Sequence, residues 1–205
     1  MPVPSKQKVH TTSLVPAGDP ESDVQPVLNG IIEPLLKACR LSCDGLDPSD
    51  GAVFMLNNID VVREALLAYG HTEAWTRNLT ADMDEWLGVL VRHQADKVLE
   101  RCGLAQAVRA AVAAEEEMQK GVASERPGLQ ESSLSAVLRS FYSSLFTLVM
   151  PDFERLRRPG TRADARRSTA LLVAEAHEIV HRLVSREDSG YADRSFLLHT
   201  PEQVR

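Results

Sequence analysis

The chain has 205 residues, of which 43% are hydrophobic, 25% charged and only 5% aromatic, and its formal net charge is −6. A core made mainly of Leu, Val, Ile and Ala favours packed helices over a β-sandwich. Nucleic-acid binding draws most of its affinity from a basic surface, so this acidic chain is not expected to bind nucleic acid.

The first predicted elements are a tail and a kinked helix. Residues 1–23 contain four prolines and no periodicity, which predicts a disordered tail, and residues 24–205 are predicted to form one helical domain. From Val24 to Cys39 the apolar residues follow the i, i+3, i+4 spacing of a helix, which Pro34 should kink.

Three more helices are predicted before residue 121. They cover residues 48–69, 72–102 and 104–120, and the first of them should have Asp47 as its N-cap. Gly70 and Gly103 are natural stop signals. The first of these helices is expected to turn five side chains inward: Phe54, Ile59, Val62, Leu66 and Tyr69.

The C-terminal part continues the helical pattern after a surface loop at 121–130. Two helices are predicted, from about 132 to 150 and from 162 to 184. Residues 200–203 resemble the cap, first turn and capping box of one more short helix. Because no segment alternates with the period of a strand, the fold class is predicted as all-α, with about six helices and no sheet.

The cysteines and apolar runs indicate the compartment. Three cysteines, an odd number at sparse spacing, do not suggest a disulfide framework and favour a reducing environment. No apolar run approaches the roughly 18 residues that a bilayer span requires, and the first residues lack the apolar region of a secretory leader. Any work at a membrane would therefore need recruitment.

Residues 177–181 spell an HExxH motif on a predicted helix. Two histidines at this spacing, here His177 and His181, can bind zinc from one helix face while Glu178 acts as a general base. Glu187 stands where the extended pattern has its third histidine, and no strand is predicted upstream to bind a peptide substrate. We therefore expect no catalytic residue, metal or cofactor, with a zinc-dependent metallopeptidase as the alternative.

A local basic segment crosses the predicted loop between the last two long helices. It contains six arginines between positions 155 and 167, including Arg155, Arg157, Arg158 and Arg162. These side chains could contact anionic lipid headgroups, at about 1 kcal/mol each, or an acidic partner helix. The alternative is that they solubilise the loop and cap a helix.

Four segments carry a family resemblance, in the same order along the chain. Residues 32–39, 54–59, 94–104 and 198–204 are similar to the patterns I-x-P-L-L-x-x-C, F-M-x-N-S, Q-A-x-x-V-L-x-R-x-G-L and L-H-R-S-P-x-Q-V. On these residues the chain resembles the C-terminal part of the subunit 6 family of the conserved oligomeric Golgi complex, a vesicle-tethering assembly.

The resemblance implies an elongated helical bundle of the multisubunit tethering type, without catalytic residues. It implies peripheral association with the cytosolic face of Golgi membranes and a role in intra-Golgi retrograde vesicle transport and Golgi organisation. The implied partners are the other subunits of the complex and fusion proteins of the SNARE and Rab types. Members of the family are several times longer, so the chain should correspond to their C-terminal end.

Overall fold

The computed structural model of the chain describes residues 20–116, 122–147 and 149–205. Within these ranges the fold is all-α, as predicted, and no strand is present. The helices are α1 (Pro20–Ser42), α2 (Pro48–Leu66), α3 (Glu73–Arg101), α4 (Leu104–Glu116), α5 (Glu131–Ser144), α6 (Pro151–Glu154), α7 (Pro159–Ser185) and α8 (Pro201–Val204). Most of the predicted tail, residues 1–19, lies outside the described ranges, and its disorder stays a prediction.

Local signals set several helix ends. The backbone N–H of Ser49 donates a 2.9 Å hydrogen bond to Oδ1 of Asp47, the N-cap of α2, and Pro48 takes the first helical position. Gly103 has a φ of +78° where α3 gives way to α4, a conformation that glycine adopts without strain. At α8, the Thr200 N–H donates to Oε1 of Gln203 at 2.9 Å, as the capping-box pattern predicts.

Helix α3 is the central helix of the fold, and it contributes to all three apolar clusters. Its 29 residues extend about 44 Å, and three clusters of buried apolar side chains follow one another along it. Near its start Leu79 packs with α1 and α2, at its middle Leu90 packs with α2, α6 and the start of α7, and near its end Val98 packs with α4, α5 and the rest of α7. The core is therefore elongated along one helix.

The inner face of α2 differs in part from the prediction. Ile59 and Leu66 are buried as expected, but Phe54 is 36% exposed and Tyr69 is 70% exposed. Tyr69 follows the end of α2 at Leu66, so helical periodicity no longer governs its direction. The prediction of these two side chains as inward was wrong.

Helix α1 carries apolar residues on two faces. Ile32 and Leu36 are buried against α2 and α3, with exposures of 3% and 5%. Val27, Ile31 and Leu35, spaced four residues apart, form a second stripe that is 46–61% exposed. A helix that is apolar around most of its circumference is normally covered on both sides. We call these three residues the α1 stripe.

Candidate functional site

The HExxH segment lies in the C-terminal half of α7. His177 is fully buried, and its Nε2 lies 2.9 Å from the hydroxyl oxygen of Tyr142 on α5. Its ring stacks on Phe141, with centroids 5.5 Å apart and planes 18° apart. Burial lowers the pKa of His177 to about 4, so the imidazole is neutral at pH 7. The contacts of His177 thus join α7 to α5.

The other two fixed positions of the motif make separate contacts. Oε2 of Glu178 accepts a 2.7 Å hydrogen bond from Arg205, and Nδ1 of His181 lies 3.3 Å from the hydroxyl of Ser185 one turn later. Across residues 20–116, 122–147 and 149–205, no group of three or more His, Cys, Asp or Glu side chains is arranged to hold a metal ion. The segment acts in packing and in attaching the C-terminal residues.

Tyr142 links α5, α7 and the C-terminal segment. Its buried hydroxyl lies 2.9 Å from Nε2 of His177, and its ring meets that of His199 edge-on with centroids 4.8 Å apart. Burial raises the pKa of Tyr142 to about 12. No local sequence pattern distinguishes Tyr142 from the other apolar positions of α5, so its role could not be predicted.

The basic segment begins beside the N-terminus of α2. Nη1 of Arg155 lies 2.6 Å from Oδ1 of Asp50, and it also contacts Asp152 at 3.3 Å. The hydrogen bond to Asp50 raises the pKa of the Arg155 guanidinium. This arginine therefore attaches the end of α6 to the first turn of α2.

The buried carboxylate of Asp60, on α2, lies against the middle of the basic segment. The side chain of Asp60 is only 4% exposed, and Nε of Arg158 approaches it at 2.6 Å. Guanidinium nitrogens of Arg63 and Arg157 lie 3.3 and 3.6 Å from its oxygens. Glu64, one turn later on α2, adds weaker contacts to Arg157 and Arg158. Arg157 and Arg158 belong to the basic segment predicted from the sequence, whereas Arg63 and the carboxylates of Asp60 and Glu64 were not predicted.

At the C-terminal end of the basic segment, two arginines contact a single carboxylate. Arg162 donates from Nε to the carbonyl oxygen of Leu156 at 2.7 Å, and its Nη1 lies 3.8 Å from Glu154. Arg166, one turn later on α7, hydrogen-bonds to the same Glu154 carboxylate. Two cationic side chains therefore share one anion here. Contact of Arg155, Arg157, Arg158 and Arg162 with a lipid or a partner stays a prediction.

An amide on α2 fixes the loop that carries these arginines. Asn57 donates from Nδ2 to the carbonyl oxygen of Arg155, and its Oδ1 accepts from the N–H of Arg157, both at 2.9 Å. One side chain thereby satisfies a donor and an acceptor of a backbone segment with no regular partner. Asn57 belongs to the second resembling segment, which was the available signal for it.

A second amide connects α2, α3 and α6. Nε2 of Gln94 donates to the buried Ser49 hydroxyl at 3.1 Å and to Oδ2 of Asp152 at 2.5 Å. Lys97, one turn along α3, lies 3.2 Å from the same hydroxyl and 3.7 Å from Asp152. Gln94 opens the third resembling segment, so that segment also contains a fold-determining contact.

No described helix is both long enough and apolar enough to cross a bilayer. The described contacts join helices at both ends of α7, through His177 and Tyr142 at one end and through arginines and carboxylates at the other. Two kinds of surface remain as candidates for partners, the α1 stripe and the basic segment.

The comparisons with known proteins agree with the resemblance. Residues 7–205 match the model of the family described as conserved oligomeric Golgi complex subunit 6, C-terminal. The subunit 6 proteins of Rattus norvegicus and Homo sapiens are 28% and 26% identical to the chain over 200 residues. The Arabidopsis thaliana protein is 22% identical over 236 residues.

The alignments cover nearly all of this chain but only about a third of each relative. Each alignment takes in 96% of this chain but only 30% of the rat and human proteins and 34% of the Arabidopsis protein. No solved structure matches the chain. Since the family model extends over nearly the whole sequence, the chain belongs to the family of conserved oligomeric Golgi complex subunit 6, in its C-terminal region.

Proposed function

We propose that this chain is the non-catalytic C-terminal portion of a Golgi vesicle-tethering subunit. It acts through helix-mediated contacts in intra-Golgi retrograde transport and in Golgi organisation. The observation that carries the proposal is the match of residues 7–205 to the subunit 6 family. The structure is consistent with it, because His177 joins α7 to α5 and the buried Asp60 of α2 binds Arg158 beside the start of α7.

The α1 stripe is the face that we assign to another subunit of the complex. Val27, Ile31 and Leu35 lie on successive turns, which is the spacing with which one helix packs along another. They are exposed although their neighbours Ile32 and Leu36 are almost fully buried. An amphipathic partner helix would cover this stripe and remove its apolar surface from water.

Peripheral association with the cytosolic face of Golgi membranes follows from the same proposal. The proposal extends to fusion proteins of the SNARE and Rab types as transient partners. Such partners would meet the tethering complex as a whole, so the contacts within the complex are the ones to test first.

The test is co-purification of the affinity-tagged chain with the other subunits of the oligomeric Golgi complex after co-expression. The chain should capture at least one of them. Replacing Val27, Ile31 and Leu35 together by Ser should reduce capture at least tenfold. Leu171→Ser, which removes a 44% exposed leucine from α7, is the matched control and should leave capture unchanged.

The possible outcomes distinguish a wrong function from a wrong assignment of the α1 stripe. If the unaltered chain captures none of the subunits, the proposed function is wrong. If the triple Ser variant captures as well as the unaltered chain, the assignment of the α1 stripe is wrong, and the function stands. Circular dichroism of each variant ensures that lost capture is not lost folding.

A further inference from the structure

A cavity of about 370 Å³ lies between α7 and the C-terminal segment. Its volume falls within the range of small-ligand pockets. The apolar part of its wall is formed by Leu145, Met150, Ala170, Val173 and Val204. A cavity with such a wall suits a flexible hydrocarbon chain better than a polar metabolite.

Three polar side chains also line the cavity. They are Arg166, His199 and Gln203. His199 is positioned by its edge-on contact with the buried ring of Tyr142, and Gln203 by its hydrogen bond to the N–H of Thr200. Apolar walls combined with a few placed polar groups are the usual composition of a site that binds an amphipathic ligand.

The charge beside the cavity favours an anion. Arg166 is the charged residue among the described residues that line it, and no described carboxylate does so. Arg166 shares Glu154 with Arg162, so one carboxylate faces two guanidinium groups. If Arg166 turned to a ligand, Glu154 would keep Arg162 as its partner. A guanidinium binds a carboxylate or phosphate through two parallel hydrogen bonds.

We propose that this cavity binds a single hydrocarbon chain with an anionic head, a fatty acid or a single-chain phospholipid. The chain lies against Ala170, Val173 and Val204, and the head meets Arg166 at the mouth. This inference does not depend on the assembly of the chain with other subunits. It gives the basic segment a defined ligand chemistry at its C-terminal end.

The binding test uses the complete 205-residue protein and dodecanoate labelled with ¹³C at its carboxyl carbon, followed by NMR. We expect saturable 1:1 binding with a shifted carboxyl resonance. Octanoate should bind at least tenfold more weakly, because each buried CH₂ contributes about 0.8 kcal/mol. Dodecanol should bind at least tenfold more weakly as well, since it carries no charge for Arg166.

Two pairs of matched variants test the geometry. Ala170→Phe adds a large side chain at an exposed position of the cavity wall and should abolish binding, whereas Ala163→Phe, exposed on the same helix outside the wall, should not. Arg166→Gln should weaken the binding of dodecanoate at least tenfold and leave the binding of dodecanol unchanged. Arg167→Gln, 72% exposed and not part of the wall, should leave both unchanged.

A vesicle arm distinguishes the two sources of ligand. Sedimentation with phosphatidylcholine vesicles that contain lysophosphatidate, abolished by Ala170→Phe, identifies a membrane phospholipid. Dodecanoate binding without vesicle binding identifies a free fatty acid. The proposal is overturned if dodecanoate does not bind, if it binds Ala170→Phe as well as the unaltered protein, or if dodecanol binds equally well.

Discussion

The hydroxyl of Tyr142 and Nε2 of His177 lie 2.9 Å apart in an interior where both side chains are buried. The bond connects α5 to α7 at the HExxH segment. Because desolvated polar groups lose their contacts with water, each partner depends on the other for a hydrogen bond.

Tyr142→Phe should destabilise the protein by about 1–3 kcal/mol, since it leaves Nε2 of His177 buried without its partner. Urea unfolding followed by circular dichroism measures the change. Tyr69→Phe is the control, because Tyr69 is 70% exposed, and it should change stability by less than about 0.5 kcal/mol. Equal stability of Tyr142→Phe and the unaltered protein would contradict a stabilising role for the bond.

Stability should fall as the pH drops from about 6.5 toward 4. The pKa of His177 is about 4 in the folded protein against 6.5 for a free histidine, so the unfolded chain takes up the proton first. The contribution of His177 is complete above pH 6.5 and decreases by about 3 kcal/mol as the pH approaches 4.

The measurement is urea unfolding between pH 4 and 7.5. His177→Gln should flatten this part of the stability curve, because Gln does not titrate. His71→Asn, which alters an exposed histidine in the turn between α2 and α3, should keep the slope of the unaltered protein. A slope in His177→Gln equal to that of the unaltered protein would argue against His177 as its source.

Asn57→Ala should cost about 1–3 kcal/mol, because it removes both hydrogen bonds to the backbone of residues 155–157. Asn58→Ala is the matched control, since the Asn58 amide bonds to the carbonyl of Phe54 within its own helix. Hydrogen exchange of the Arg157 amide should accelerate in the first variant alone. Unchanged exchange there would show that the loop is held by other contacts.

Asp60→Asn should destabilise the protein by about 1–3 kcal/mol, because it removes the buried charge shared by Arg63, Arg157 and Arg158. The exposure of the arginines limits the effect. Glu64→Gln, at a 57% exposed position of the same cluster, should cost less than about 1 kcal/mol. Thermal unfolding of both variants compares them, and equal losses would place the important charge outside Asp60.

The sequence predicted the all-α fold because its determinants are local. Asp47 and Pro48 are a local signal for a helix start, and Gly103 is a local signal for the end of α3; neither depends on tertiary contacts. Helix α6 was not predicted, because the four residues Pro151–Glu154 are too few to show a period.

The partners of the site residues could not be predicted in the same way. The arginines of the basic segment were evident from the sequence, but two of the carboxylates that they meet, Asp50 and Asp60, lie on α2, about a hundred positions earlier. The same holds for His177, whose partner Tyr142 belongs to another helix. Side-chain pairs of this kind depend on tertiary packing, which no local pattern encodes.

The contacts of Asn57 also have a consequence for synthesis on the ribosome. Its two backbone partners follow it by 98 and 100 positions. At a translation rate of about 5–20 residues per second, roughly 5–20 s pass between the emergence of Asn57 and that of its partners. During this interval the Asn57 side chain lacks both backbone partners, and Asp60 has Arg63 of its own helix but not yet Arg157 and Arg158. Until the basic segment emerges, the nascent chain must therefore rely on the packing of α2 against α3.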